Sequence, residues 1–184
     1  MDFGLIKDKI ALKLINRKSN GYLLCEIPHT DFLDLTFVYF IVINKNETDM
    51  DTIIIKNEYL DDWGITKDEL HEIAHSNFTP IFSMCIYGTH SRDRFFMITT
   101  KCKLFGAVYM TEDSLLKCIA DAFEDDLCII PSSIHEIMLV PCSGLVRKEV
   151  DDVIKKVNKE AVEEDEYLSD HMYTFSRKLG KVCI

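Results

Sequence analysis

The sequence contains no CxxC pair, no long hydrophobic run and no excess of basic charge, and it is sparing with glycine and proline. Each shortage excludes something. Seven Gly and four Pro in 184 residues are too few for a low-complexity or collagen-like chain, and 47% hydrophobic residues are too many for a disordered one. The longest apolar run, 35–43 (LTFVYFIVI), is about half the length that crosses a bilayer. The first residues alternate apolar side chains with Asp and Lys, unlike the uninterrupted apolar core of a signal peptide. Lys and Arg number 21 against 31 Asp and Glu, a net charge of −10, so direct binding to a phosphate backbone by general electrostatics is disfavoured. The small basic patch Arg92, Arg94, Lys101 and Lys103 is surrounded by acidic segments.

The seven cysteines (25, 85, 102, 118, 128, 142 and 183) are odd in number and scattered, with Cys118 and Cys128 inside apolar runs. That pattern reads as buried thiols of a reducing cytoplasm rather than as a zinc site or a disulfide framework.

Periodicity gives the outline. Apolar residues over 3–16 fall at roughly helical spacing, and Asn20-Gly21 ends the pattern. A strand over 33–43 and a second at 52–56 flank a polar turn at 44–51, as in a hairpin. Thr66 and Glu69 form a T-x-x-E capping box with Ile65 and Leu70 as its hydrophobic staple. The helix they start is expected to stop near Asn77, before Pro80. Residues 95–100 and 105–110 read as a strand pair. Thr111 is placed as the cap of a helix whose buried stripe is Leu115, Leu116, Ile119, Ala120 and Phe123.

Strands at 127–130 and 137–140 follow. The next helix is marked by Val146, Val150, Val153, Ile154 and Val157, and a terminal strand spans 171–177. The expectation is one α+β domain over 1–184, a largely antiparallel mixed sheet with three to four helices packed on it.

Two segments resemble chemistry. Residues 71–75 read His-Glu-Ile-Ala-His, the H-E-x-x-H pattern in which two imidazoles one helical turn apart bind zinc and the Glu acts as base. Leu70, Ile73 and Ala74 set the apolar face, which leaves His71 and His75 on its solvated flank. No third ligand follows in order, His90 and the downstream acids being unordered candidates. No metal and no cofactor is therefore assigned, and a zinc protease stays a remote reading. Pro131-Ser132-Ser133-Ile134-His135-Glu136 places hydroxyls, an imidazole and a carboxylate between two strands. These are either the nucleophile and base of a small hydrolase-like enzyme, together with Asp170-His171, or the polar residues of a turn.

PSSIHEIMLVP (131–141) resembles the signature of an uncharacterised domain-of-unknown-function family of gut Clostridia and their mobile elements. IPHTDFLDLTFVYFIV (27–42), TIIIKNEYLDDWGIT (52–66), ELHEIAHSNFTP (69–80), FGAVYM (105–110) and VIKKVNKEAVEEDEYLSDHMYTFSR (153–177) resemble further segments of it in the same order. Members are usually longer at the N-terminus, so this chain resembles their C-terminal portion. At the two histidines of HEIAH the family pattern has other residue types. The resemblance carries no established activity or cofactor. It singles out as the candidate functional surface Ser132, Ser133, His135 and Glu136, then Asn158, Ser169, Asp170 and His171.

The family's mobile-element setting, with the size and acidity of the chain, favours a non-enzymatic interaction protein. It would be an accessory or anti-defence factor whose carboxylates imitate phosphates in a basic, nucleic-acid-binding partner such as a CRISPR nuclease. The acidic face assigned to that role comprises Asp61, Asp62, Asp125, Asp126, Glu163, Glu164, Asp165 and Glu166. The competing reading of each acidic run is a solvated surface that keeps the protein in solution.

Overall fold

The structure, a computed structural model, describes residues 1–46, 50–89 and 94–184. Contacts divide the chain into two compact units, Met1–Ser83 and Met84–Ile184. Both sheets pair antiparallel throughout, so the α+β class with antiparallel sheets is the one observed.

The first unit is organised by the apolar run that the sequence marks as a strand, β3 (Leu35–Lys45). One edge of β3 pairs with β1 (Ile10–Asn16), from Ile10 opposite Ile41 to Asn16 opposite Leu35. The other edge takes β2 (His29–Phe32) and then β4 (Met50–Ile54). The expected hairpin is present, although 47–49 of its turn lie outside the described residues.

The helix expected over 3–16 is not. Only α1 (Phe3–Ile6) and a 3₁₀ turn at Lys7–Lys9 precede β1. The segment 10–15 is apolar but for Lys13, and such a run suits a buried strand as well as a helix. The pairing edge of β3 decides between them. Short helices α2 (Gly21–Leu24) and α3 (Asn57–Trp63) connect the elements.

Against β1 lies α4 (Lys67–Phe82), with Leu70, Ala74, Phe78 and Phe82 buried. Its start is as expected: Thr66 Oγ1 accepts from the Glu69 amide at 3.2 Å, and Glu69 Oε2 accepts from the Thr66 amide at 2.8 Å. The Thr66 amide and hydroxyl, both donating to Glu69 Oε2, hold that carboxyl below its ordinary range. Thr66→Ala is expected to lower stability by about 1 kcal/mol, read as a shifted urea midpoint with an unchanged slope.

Its end is not as expected, because the helix runs through Pro80 for another half turn. Proline removes one N–H from the ladder, but packing outweighs the loss. Phe82 is buried against Phe78 (centroids 4.8 Å apart) and Phe40 (6.3 Å), and Lys45 donates to the Ile81 carbonyl while lying over the Phe82 ring. Asn77 fastens the same helix to the N-terminal segment through the carbonyls of Lys7 and Ile10, at 2.8 and 2.9 Å.

The second unit is a six-stranded sheet. In spatial order it runs β10 (Lys181–Cys183), β9 (Tyr173–Ser176), β7 (Leu127–Ser133), β8 (Glu136–Pro141), β6 (Phe95–Thr100) and β5 (Met84–Thr89). The expected pairing of 95–100 with 105–110 is replaced by pairing with β5 and β8. Residues Gly106–Thr111 instead form a 3₁₀ turn whose first two amides serve the β7–β8 hairpin.

Two helices complete this unit, α5 (Asp113–Phe123) and α6 (Arg147–Ala161). Thr111 does not cap α5, since its hydroxyl donates to the Val108 carbonyl and the cap position is Glu112. Leu116, Ile119, Ala120 and Phe123 are buried as expected, Leu115 only partly, and Cys118 faces outward. Of the α6 residues expected inside, only Ile154 is buried, with Cys128 and Met172, and Val150 packs partly on that cluster. Val146, Val153 and Val157 are exposed. No helix among the described residues is long and apolar enough to cross a membrane.

Candidate functional site

The β7–β8 hairpin turns on Ile134 and His135, with Ser133 opposite Glu136 and an irregularity between Pro131 and Ser133. His135 is engaged on every side. Its Nδ1 accepts the Phe105 amide at 3.1 Å, its Nε2 meets Glu166 Oε1 at 3.2 Å, and its own amide donates to Ser133 Oγ at 3.0 Å. Its carbonyl accepts from Thr99 Oγ1 at 2.8 Å and from the Gly106 amide at 3.0 Å. The neighbouring Ile134 donates its amide to the Glu166 carbonyl and accepts from the Ala107 amide.

A nitrogen that receives a backbone N–H carries no proton itself, so the neutral ring holds its proton on Nε2, directed at Glu166. Ser133 Oγ is spent on an amide two residues on, a common turn device. The carboxylate partner of His135 is thus Glu166, not the expected, adjacent Glu136. The arrangement clamps a hairpin tip between the 3₁₀ turn and the acidic segment, and neither ring nitrogen is offered to a serine as a base.

Asp170 and His171 belong to a second network, tied to α6. Asn158 Nδ2 donates to the Ser169 carbonyl (2.8 Å) and to Asp170 Oδ1 (3.0 Å), and Asp151 Oδ1 accepts the Met172 amide at 2.8 Å. His171 Nδ1 lies 3.0 Å from the Met172 carbonyl, and its ring leans on Tyr173. Ser169 Oγ bonds within its own turn.

The eight acids expected to form one face have different employments. Asp61 and Asp62 stand exposed on α3 in the first unit. In the second unit Asp125 accepts the Ser143 amide (2.9 Å), Asp126 accepts the Arg177 amide (2.8 Å), and Glu166 holds His135. Burial pushes the Asp125 carboxyl up, but its bonds to Ser143 and to the Asp126 amide, with the charge of Arg94, together leave it below its ordinary value. Glu163, Glu164 and Asp165 are exposed. Of the basic patch, Arg92 lies outside the described residues, and Arg94 donates to the Phe123 carbonyl with its guanidinium over the Phe123 ring.

The third place is the HEIAH turn of α4. His71, Glu72, His75 and Ser76 line an open recess of about 390 Å³. His71 is not on a solvated flank as expected. It is half-buried on the sheet, edge-on to Phe37 (5.1 Å), with Nδ1 3.0 Å from the Tyr39 hydroxyl, which lies 2.6 Å from Thr30 Oγ1. Burial, helped by Asp68 and opposed by the Thr30 bond, pushes the Tyr39 phenol up to about 12. Burial and the neighbouring His75 hold the His71 imidazole below its ordinary value, against the pull of Asp68 and Glu72.

The His71 and His75 rings are 5.9 Å apart. Among the described residues no three His, Cys, Asp or Glu converge to hold a metal, whereas a zinc protease needs three protein ligands. The expected extra candidate, His90, lies outside the described residues. Tyr39 and Thr30 carry no motif. The only sequence signal for them is a phenol inside an apolar strand, whose hydroxyl requires a partner once buried.

No curated protein and no solved structure matches the chain. A family model, described as a family of unknown function (DUF5688), matches residues 1–91 and 84–177. With nearly the whole length covered, the chain belongs to that family of unknown function.

Proposed function

We propose that this chain is a non-enzymatic, acidic interaction protein of the cytoplasm that docks on a basic, nucleic-acid-binding partner. In its specific form the role is that of a mobile-element accessory or anti-defence factor, inhibiting a nuclease by occupying its nucleic-acid channel. One contrast supports the reading above the enzymatic one. His135 and Ser133, the imidazole and hydroxyl at the tip of PSSIHE, are bonded within the fold, whereas Glu163, Glu164 and Asp165 extend past α6 as consecutive exposed carboxylates. Spacing between adjacent side chains of an irregular segment is of the same order as the spacing of phosphates along one strand, so such a run suits a groove lined by Lys and Arg.

The test is capture of partners on the immobilised protein at about 50 mM salt, followed by elution with duplex DNA or with about 500 mM salt. The expected result is a basic protein released by both treatments and not captured by the triple variant Glu163→Gln, Glu164→Gln, Asp165→Asn. A partner that survives both eluents, or that binds the triple variant equally, would overturn the reading.

A further inference from the structure

The recess on α4 has properties that the proposed interaction role does not use. Histidines four residues apart on a helix share one face, and here the two rings already lie side by side with centroids 5.9 Å apart. Two imidazoles bound to one tetrahedral ion through metal–nitrogen bonds of about 2.0–2.1 Å place their centroids about 5 Å apart. The observed separation is within about 1 Å of that value.

His71 is prepared for such a bond. Its Nδ1 is engaged by the buried Tyr39 hydroxyl, itself bonded to Thr30, which leaves Nε2 as the donor for a ligand. Bonding of the second ring nitrogen to a fixed protein group is what orients metal-binding histidines and sharpens their affinity. Phe37, edge-on at 5.1 Å, holds the same ring from the sheet. The surroundings favour a cation: Glu72 lines the recess beside the two rings, and both Asp68 and Glu72 act electrostatically on His71. Ser76 adds a hydroxyl at the rim, and the recess opens to solvent, which would fill the remaining coordination positions with water.

We propose that His71 and His75 form a two-imidazole binding site for a late first-row divalent cation, with Glu72 at its edge and Tyr39 positioning His71 from behind. Imidazole ligands select Ni²⁺, Cu²⁺ and Zn²⁺ over Mg²⁺ and Ca²⁺, which require oxygen. With two protein ligands the site is a binding site and not a hydrolytic zinc centre.

Ni²⁺ is the probe of choice, because it prefers imidazole and does not oxidise the thiols of this chain as Cu²⁺ would. Titration of the full chain with NiCl₂ is expected to give one saturable site by calorimetry. Paramagnetic broadening should fall on the imidazole signals of His71 and His75 and spare the other four of the six histidines. His75→Ala, whose fold is checked by circular dichroism, should weaken binding at least about tenfold, and Tyr39→Phe should weaken it less while leaving both rings broadened. Broadening spread over all six histidines, or unchanged Ni²⁺ affinity in folded His75→Ala, would overturn the assignment. Chemical-shift changes of the same two imidazoles on addition of MgCl₂ would overturn its selectivity.

Discussion

Gly106→Ala is expected to cost about 3 kcal/mol or more, above the usual range for one added methyl in a packed site, and to lower the melting temperature by about 10 °C. The reason is what the new carbon would meet. A Cβ on Gly106 would lie 2.5 Å from Thr99 Cα, 2.6 Å from the His135 carbonyl oxygen and 3.0 Å from the Thr99 carbonyl carbon. All three are backbone atoms, so no side chain can swing away. Relief requires that the 3₁₀ turn lift off the sheet, which breaks the Gly106–His135 bond at 3.0 Å and strains the Thr99–His135 bond at 2.8 Å.

Gly64→Ala is the contrasting control. Gly64 sits at φ +66 with open space around it, so the added methyl costs only the left-handed conformation, about 1–2 kcal/mol. Urea denaturation followed by circular dichroism separates the two. If Gly106→Ala melted within about 1 °C of the parent, the hairpin clamp would be wrong. If the clamp is right, hydrogen exchange should also quicken at the Ala107 and Ile134 amides, which bond to the Ile134 and Glu166 carbonyls.

That tight junction was partly legible in the sequence, and its limits are instructive. PSSIHE reads correctly as a turn between two strands, because proline, serine and paired apolar runs are local signals. What no local signal carries is the identity of the clamp. Phe105 is 30 residues and Glu166 is 31 residues from His135 in the chain, and FGAVYM looks like a strand until its amides are needed by the hairpin. The same division runs through α4. Its capping box is confined to four residues and is found by inspection, whereas its continuation past Pro80 depends on Phe40, Lys45 and Phe78 meeting the last turn.

Errors in the opposite direction occur where apolar residues are not inside. Val146, Val153 and Val157 follow a helical period, yet only Ile154 of α6 is buried, because the helix rests on β7 along a narrow line. Of the candidate site, the H-E-x-x-H spacing was visible. The Tyr39–Thr30 support beneath His71 was not, since it arrives from two neighbouring strands, β2 and β3, that lie far from α4 in the chain.

The cysteines carry the second large effect, and it is one of rate. Cys128 lies in the core with its thiol 3.3 Å from the Met172 sulfur, and burial, with Cys142 and Asp151 adding and Arg147 opposing, pushes it up to about 12. Burial and the carboxylates of Asp125 and Asp126 push Cys142 up to about 11. Only the thiolate attacks an alkylating agent, and at pH 8 a thiol with the ordinary value of about 8.5 is about one-quarter ionised, against about one in ten thousand at 12. The expected labelling of Cys128 by iodoacetamide is therefore slower by on the order of a thousandfold, before its burial slows access further.

Cys25 and Cys118 are exposed, contrary to the reading of uniformly buried thiols, and should label within minutes. Peptide mass spectrometry of the native protein then shows Cys25 and Cys118 modified and Cys128 intact, with all seven modified in urea. The same shift has a thermodynamic face. A thiol whose folded value lies above its unfolded one adds stability that is complete below about pH 8.5 and is lost as pH rises towards about 12. Cys128→Ala would give up packing at every pH but should flatten the alkaline limb of the stability profile. Equal labelling rates at Cys25 and Cys128 in the native state would sink the argument, because a core thiol of this kind is protected only while the β7–α6 packing around Met172 and Ile154 stays closed.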